Sequence, residues 1–125
     1  MSGRAVRCAA ALALLASLAL VAGCSGDKRA PGTLGDPARG KIALSQYSCR
    51  ACHVIPGVTG SDTYVGRPLE HMYTRQIIAG KLPNNQATLV RWIRDPQSVD
   101  PQTAMPNLGV TEKDALDMSA YLLAH

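Results

Sequence analysis

Two thiols and an imidazole within five residues constrain this 125-residue chain more than any other feature. Cys49 and Cys52 are separated by two residues, and His53 follows directly. This spacing is the attachment signature of a c-type haem. On one helical turn the two sulfurs can reach the two vinyl groups of a porphyrin, and the imidazole can ligate the iron from the same side. The motif therefore predicts a chain that folds around one covalently bound haem c.

A methionine between two prolines is the candidate for the second axial ligand. Haem iron in electron carriers is held by His on one face and Met on the other. Met105 lies in a loop that Pro101 and Pro106 stiffen by fixing φ. A rigid loop matters because the iron–sulfur bond is weak. The sequence therefore predicts His53 and Met105 as the metal ligands.

Three other side chains compete with Met105 for this position. Met118 falls on a helix face and indicates packing, while Met72 lies in a segment without rigid flanks. His71 as distal ligand would give a haem of lower potential, but it lies in a polar stretch that favours a solvated surface. Zinc needs about four ligands and a thioredoxin-like pair needs a βαβ context, so both alternatives to haem are disfavoured.

The N-terminal region has the pattern of an export signal. Arg4 and Arg7 precede an apolar run over 8–22, which is too short for a comfortable span of the bilayer. The run ends at Cys24, in a segment similar to a bacterial lipobox. This predicts a lipoprotein signal peptide over 1–23 and a lipid on Cys24. An ordinary secretory signal and an uncleaved anchor helix remain alternatives.

The rest of the chain divides into a tether and one domain. Residues 24–36 are polar and predict a lipid-anchored flexible tether, and residues 37–125 predict the domain. No segment alternates convincingly like a strand, so the fold class predicted is all-α. Helices are expected over 37–52, over 68–78, from Asn85 to Arg94 and after Thr111. Gly40 inside the first helix predicts the close approach of another helix.

Charge argues against one class of partner. The formal net charge of +4 falls when Arg4 and Arg7 leave with the signal peptide. Two haem propionates would bring it near zero. The working protein is therefore not strongly basic, and nucleic-acid binding has no support.

The sequence resembles class I c-type cytochromes, in a bacterial monohaem lipoprotein form, from about residue 38 to 123. The segments that carry the resemblance are Cys49–His53, 89–96, 103–106 and 119–122. In that family the N- and C-terminal helices cross beside the haem. The resemblance thus implies an all-α cytochrome c fold, a small helical domain wrapped around one haem.

The resemblance also implies roles for individual residues. Arg75 falls where the family has an arginine near a haem propionate, and Thr103 where a hydroxyl bonds a propionate. Trp92 falls where an aromatic residue packs near the Met ligand. The backbone carbonyl of Arg67 is placed to orient His53.

Together these features predict a one-electron carrier in a respiratory chain, and not an enzyme. Its partners would be redox proteins, namely a respiratory complex or a terminal oxidase, and a membrane that it meets through the lipid. It would lie on the periplasmic side of a bacterial membrane. Two alternatives stay open. One is a dedicated cytochrome c subunit of a terminal oxidase or reductase complex, and the other is a haem enzyme or gas sensor with a displaceable Met.

Overall fold

The computed structural model describes residues 29–125. The predicted signal peptide over 1–23 and the predicted lipidation site Cys24 lie outside the described residues. The three predicted domain boundaries stay predictions. In chain order the described elements are α1 (Pro37–Gln46), a 3₁₀ turn (Cys49–Ala51), a second 3₁₀ turn (Met72–Thr74), β1 (Ile77–Ile78), β2 (Leu82–Pro83), α2 (Gln86–Arg94), α3 (Pro96–Val99) and α4 (Glu112–Leu122).

Helix α1 packs against α4, and Gly40 makes the close approach possible. A β-carbon at Gly40 would lie 2.0 Å from the backbone carbonyl oxygen of Asp117. Leu44 on α1 and Met118 and Tyr121 on α4 are almost fully buried and belong to the same core cluster. The prediction that Gly40 marks a helix–helix contact is confirmed.

A buried carboxylate ties the start of α1 to α4. Asp117 accepts hydrogen bonds from the backbone N–H of Asp36 at 2.6 Å, from Nε of Arg39 at 2.9 Å and from Nζ of Lys113 at 3.0 Å. Burial alone would raise the pKa of Asp117. The hydrogen bonds outweigh that effect and lower the pKa to about 2. Asp117 is therefore a charged link within the core and is stabilised by its partners.

Side-chain caps fix the beginnings of the two longer C-terminal helices. Oδ1 of Asn85 accepts the N–H of Thr88 at 3.0 Å, and Oγ1 of Thr88 accepts the N–H of Asn85 at 3.3 Å. Oγ1 of Thr111 accepts the N–H of Asp114 at 3.1 Å. These bonds satisfy N–H groups that have no partner inside the helix. The predicted helix starts at Asn85 and Thr111 are confirmed.

The first helix is shorter than the sequence predicts. It ends at Gln46 rather than near Cys52, because Ser48 adopts a left-handed backbone with φ of 60°. The chain then tightens into the 3₁₀ turn over Cys49–Ala51. The two thiols of the sequence motif therefore lie just beyond α1 and not on it.

The all-α prediction is wrong, because the described residues include an antiparallel β-hairpin. Strand β1 pairs with β2 in the register Ile77↔Pro83 and Ile78↔Leu82. Ala79 and Gly80 both have positive φ, which type I′ hairpin turns require, and the N–H of Lys81 bonds the carbonyl of Ile78 at 3.1 Å. The expected helix over 68–78 is replaced by a 3₁₀ turn and this first strand. The all-α cytochrome c fold is therefore not retained.

The segment before α1 is held against the body of the protein. The side chain of Gln86 accepts from the backbone N–H of Leu34 at 2.8 Å and donates to its carbonyl at 2.7 Å. The same amide donates to the hydroxyl of Ser119 on α4 at 3.0 Å. Within residues 29–125, no helix combines the length and the apolar character needed to cross a membrane.

Candidate redox site around His53

The 3₁₀ turn gathers the three residues of the motif. The carbonyl of Cys49 accepts the backbone N–H of Cys52 at 3.2 Å and that of His53 at 3.0 Å. Both cysteines are half-buried free thiols. Burial raises the pKa of the Cys49 thiol, and the nearby Cys52 raises it further against an opposing backbone hydrogen bond. The thiol of Cys49 is therefore held in its protonated, less nucleophilic form.

The imidazole of His53 is oriented by one backbone hydrogen bond. Nδ1 of His53 lies 2.7 Å from the carbonyl oxygen of Arg67. A carbonyl can only accept, so Nδ1 carries the proton and Nε2 keeps its lone pair. Metal-ligating histidines are fixed in this way by a partner of the second nitrogen. The predicted role of the Arg67 carbonyl is thus seen in the geometry.

The same ring packs directly against the backbone of Gly66, a contact called the seat of the ring below. A β-carbon at this position would lie 2.4 Å from Cε1 and 2.7 Å from Nδ1 of His53, closer than any side chain permits. The N–H of Gly66 bonds the carbonyl of Cys52 at 2.7 Å, which holds the seat against the turn. Ser61 adds a further tie, because its hydroxyl donates to the carbonyl of His53 at 2.7 Å.

Met105 lies in a loop whose backbone is held from two sides. Nε2 of Gln97 donates to the carbonyl of Met105 at 2.8 Å, and Oγ1 of Thr103 accepts its N–H at 3.2 Å. Met105 is half-buried, whereas Met72 and Met118 are 2% and 0% exposed within the core. Of the three methionines in the described residues, Met105 alone lies outside the core, where its sulfur could serve as a metal ligand.

The remaining predicted site residues occupy different surroundings. Arg75 is half-buried, and its Nη2 donates to the carbonyls of Pro68 and, at 3.0 Å, of Glu70. Trp92 is half-buried on α2. The hydroxyl of Thr103 serves the Met105 loop. The predicted cofactor contacts of Arg75, Trp92 and Thr103 stay predictions.

The structure brings together one part of the predicted site. Cys49, Cys52 and His53 share a turn, while Met105 is fixed by a separate loop. His71, the competing histidine, is exposed, in line with a surface role. Within the described part of the chain, no three or more His, Cys, Asp or Glu side chains come together in a group that could hold a metal ion.

Two positioning residues were not predicted from the sequence. Gln97 holds Met105 through a side chain on a four-residue helix that the sequence did not predict. Ser61 lies in a loop, where a serine gives no signal beyond turn formation. In both cases the partner is a backbone carbonyl. Every residue has one, so the sequence does not show which carbonyl accepts a hydrogen bond.

Comparison with known proteins gives one informative similarity. The chain is 36% identical over 85 residues to cytochrome c oxidase subunit 2 of Alkalihalophilus pseudofirmus, a match that covers 67% of this chain and 24% of that protein. The chain thus spans about a quarter of the relative's length. No protein-family model matches the sequence. No solved structure matches it either.

This similarity corrects two predictions. The relative is named as an oxidase subunit 2 and not as a c-type cytochrome, and the described residues form no multi-ligand metal group. We therefore do not assign the predicted cofactor, one covalent haem c with its iron. The prediction that the chain is an electron carrier and not an enzyme is also wrong, because the relative is a subunit of an oxidase. The resemblance to class I c-type cytochromes stays a prediction.

Proposed function

We propose that the chain is an electron-transfer subunit of a terminal oxidase complex. The similarity to an oxidase subunit over two thirds of the chain supports this assignment. It corresponds to the oxidase-subunit alternative predicted from the sequence rather than to the main prediction, a membrane-tethered carrier. The complex is then both the partner and the acceptor of electrons. The proposal places the chain on the periplasmic side of a bacterial membrane, held by a lipid on Cys24.

The proposed redox site is centred on His53. Nε2 of His53 and the sulfur of Met105 are the proposed ligands of a redox-active metal, and Cys49 and Cys52 are proposed to lie beside it. The observation that carries this proposal is the 2.7 Å hydrogen bond from Nδ1 of His53 to the carbonyl oxygen of Arg67. It leaves the lone pair of Nε2 for a metal. A neutral imidazole and a thioether are typical ligands of electron-transfer metals.

The surrounding side chains have a positioning role in this proposal. Gly66 and Ser61 keep the ring and the backbone of His53 in place, and Thr103 and Gln97 do the same for Met105. Ligands that are already oriented do not need to move when the oxidation state changes. A small rearrangement lowers the barrier to electron transfer, so the network suits a site that passes single electrons without binding a substrate.

The experiment is purification of the tagged full-length chain from its native membranes. We expect oxidase subunits in stoichiometric amounts, together with a metal that elemental analysis and mass spectrometry of the intact chain identify. His53→Ala and Met105→Leu should each lose that metal or shift its reduction potential. His71→Ala, which changes an exposed histidine, is the matched control and should retain both.

Different outcomes separate the two halves of the proposal. Recovery of the chain without oxidase subunits would contradict the assignment to a terminal oxidase. Unchanged metal content and potential in His53→Ala and Met105→Leu would contradict the proposed site, even if the complex were intact.

A further inference from the structure

The β-hairpin is tied by side chains to both α2 and α3. The hydroxyl of Thr88, in the first turn of α2, donates to the carbonyl of Pro83 in β2. Beside the hairpin turn, Nζ of Lys81 donates to the carbonyl of Val99, the last residue of α3, at 3.2 Å. The hairpin thus links the start of α2 to the end of α3. The network proposed above for the redox site includes neither Lys81 nor Val99.

The end of α3 depends on hydrogen bonds from outside the helix. The last four carbonyls of a helix have no partner inside it, and lysine side chains can bond them. Helix α3 has only four residues, so its own hydrogen bonds hold it weakly. Nη2 of Arg91 reaches the carbonyl of Ser98 at the longer distance of 3.4 Å. The bond from Lys81 to Val99 is the shorter of these two ties.

Helix α3 in turn holds the backbone of Met105. Nε2 of Gln97 on α3 donates to the carbonyl of Met105 at 2.8 Å. A second connection starts at Asp100, which follows α3 directly and whose carbonyl accepts the N–H of Thr103 at 3.1 Å. Oγ1 of Thr103 accepts the N–H of Met105 at 3.2 Å. Because both connections begin at α3 or at its C-cap, a displacement of the end of α3 is passed on to Met105.

We propose that Lys81 is a positioning residue for Met105 and acts through α3. Without its bond to Val99, the end of α3 is freer to move, and Gln97 holds the Met105 carbonyl for a smaller fraction of the time. Lys81 is exposed, so one such bond changes the opening of the loop severalfold and does not decide whether the domain folds. The consequence for metal binding rests on the proposed function, in which the sulfur of Met105 is a ligand.

The first measurement is hydrogen–deuterium exchange with mass spectrometry, on the full chain purified from its native membranes. It is followed in the peptide over 101–107, which contains Met105. We expect this peptide to exchange about twofold to fivefold faster in Lys81→Ala than in the wild type. Lys81→Arg keeps a charged donor and should restore the wild-type rate. Lys41→Ala removes the same charge from α1 and should leave the rate unchanged.

The second measurement is a competition between added imidazole and the sulfur of Met105 for the metal, followed by the absorption spectrum. A looser loop gives up its sulfur more readily. We expect half-displacement in Lys81→Ala at an imidazole concentration about twofold to fivefold lower than in the wild type. Lys81→Arg and Lys41→Ala should match the wild type. Met105→Leu removes the competing sulfur and gives the lower limit of this concentration.

The exchange rates decide whether Lys81 holds the loop. Equal rates in the wild type and Lys81→Ala, equal acceleration in Lys41→Ala, or a Lys81→Arg variant that exchanges like Lys81→Ala would each overturn the inference. It is also overturned if Met105→Leu lowers the half-displacement concentration while Lys81→Ala leaves it unchanged. If Met105→Leu has no effect on the competition, the proposed function fails at Met105, and the exchange rates alone still decide the role of Lys81.

Discussion

The carbonyl of Arg67 accepts the Nδ1 proton of His53, and this single bond decides which imidazole nitrogen faces outward. The ring rests on Gly66, where even a methyl group would overlap it. The residues on each side, Val65 and Arg67, are exposed, so neither holds the seat through core packing. At this scale the sequence predicted His53 as a ligand, and the family resemblance suggested the Arg67 carbonyl as the partner of its ring. It did not identify the contact between Gly66 and the ring, because such a contact depends on how the loop folds back.

Gly66→Ala tests the seat. We expect the added methyl group to displace the ring and break the bond to Arg67, with a loss of about 1–3 kcal/mol of stability. Imidazole nitrogen chemical shifts should change from the single Nδ1–H tautomer to a mixture. Gly109→Ala is the control, because Gly109 has positive φ and nothing within 4 Å of the added carbon. It should cost about 1 kcal/mol and leave the His53 tautomer intact. An unchanged tautomer in Gly66→Ala would contradict the account.

Asp117 gives the fold a defined response to acid. Its pKa in the folded state, about 2, is below the ordinary value of 3.8. The unfolded chain therefore binds the proton more readily, and stability is lost as the pH falls from about 4 to 2. The shift corresponds to about 2 kcal/mol. Asp117→Asn should lose about that amount at neutral pH and flatten the acid limb of a denaturation profile. Asp62→Asn, at an exposed aspartate, should retain the acid limb of the wild type. Identical acid limbs in both variants would contradict the role of Asp117.

The helix starts could be predicted from the sequence, whereas the hairpin could not. Asn85 and Thr111 were predicted as caps, because a capping side chain and its target N–H are only three residues apart. The helix–helix contact at Gly40 was predicted because glycine destabilises a helix interior, and close packing compensates for that cost. The hairpin was missed because each strand has two residues, too few for an alternating pattern, and its turn uses Ala79 where Asn or Asp is usual. Local signals were therefore sufficient for helix starts and insufficient for strand pairing.

Gly40→Ala separates helix propensity from packing. Propensity alone predicts a gain of about 1 kcal/mol in a helix interior. The 2.0 Å overlap with the Asp117 carbonyl predicts the opposite, since backbone cannot rotate away, and we expect a loss of about 2–4 kcal/mol in chemical denaturation. Ile42→Ala on the exposed face of α1 should change stability by less than about 0.5 kcal/mol. A stabilised Gly40→Ala variant would show that α1 and α4 are farther apart than described.

Ala79→Gly tests the hairpin turn. Ala79 has φ of 49°, which strains a residue with a β-carbon. Glycine removes the strain, so we expect a gain of about 0.5–1 kcal/mol in thermal or denaturant unfolding, despite the greater freedom of the unfolded chain. Ala87→Gly, the same change in the first turn of α2, should cost up to about 1 kcal/mol. Equal destabilisation by both changes would contradict the positive-φ turn.

At the scale of the whole molecule, the sequence motif predicts which residue types could bind a cofactor. It does not predict which complex the chain belongs to. The pentapeptide Cys49–His53 and Met105 predict ligand types. The structure places Cys49, Cys52 and His53 on one turn and Met105 on a separate loop. The cofactor, and the choice between a membrane-tethered carrier and an oxidase subunit, could not be read from them. Both depend on what the folded chain binds, and the similarity to an oxidase subunit redirected the functional assignment.

Oxygen uptake by the oxidase purified with this chain tests the central proposal most directly. With an artificial electron donor at saturating concentration, we expect His53→Ala to lower the rate by about tenfold or more, because electrons must pass through the site that His53 holds. His71→Ala should match the wild type, and the subunit composition should be the same in all three preparations. Equal oxygen uptake by the wild type and His53→Ala would contradict the proposal.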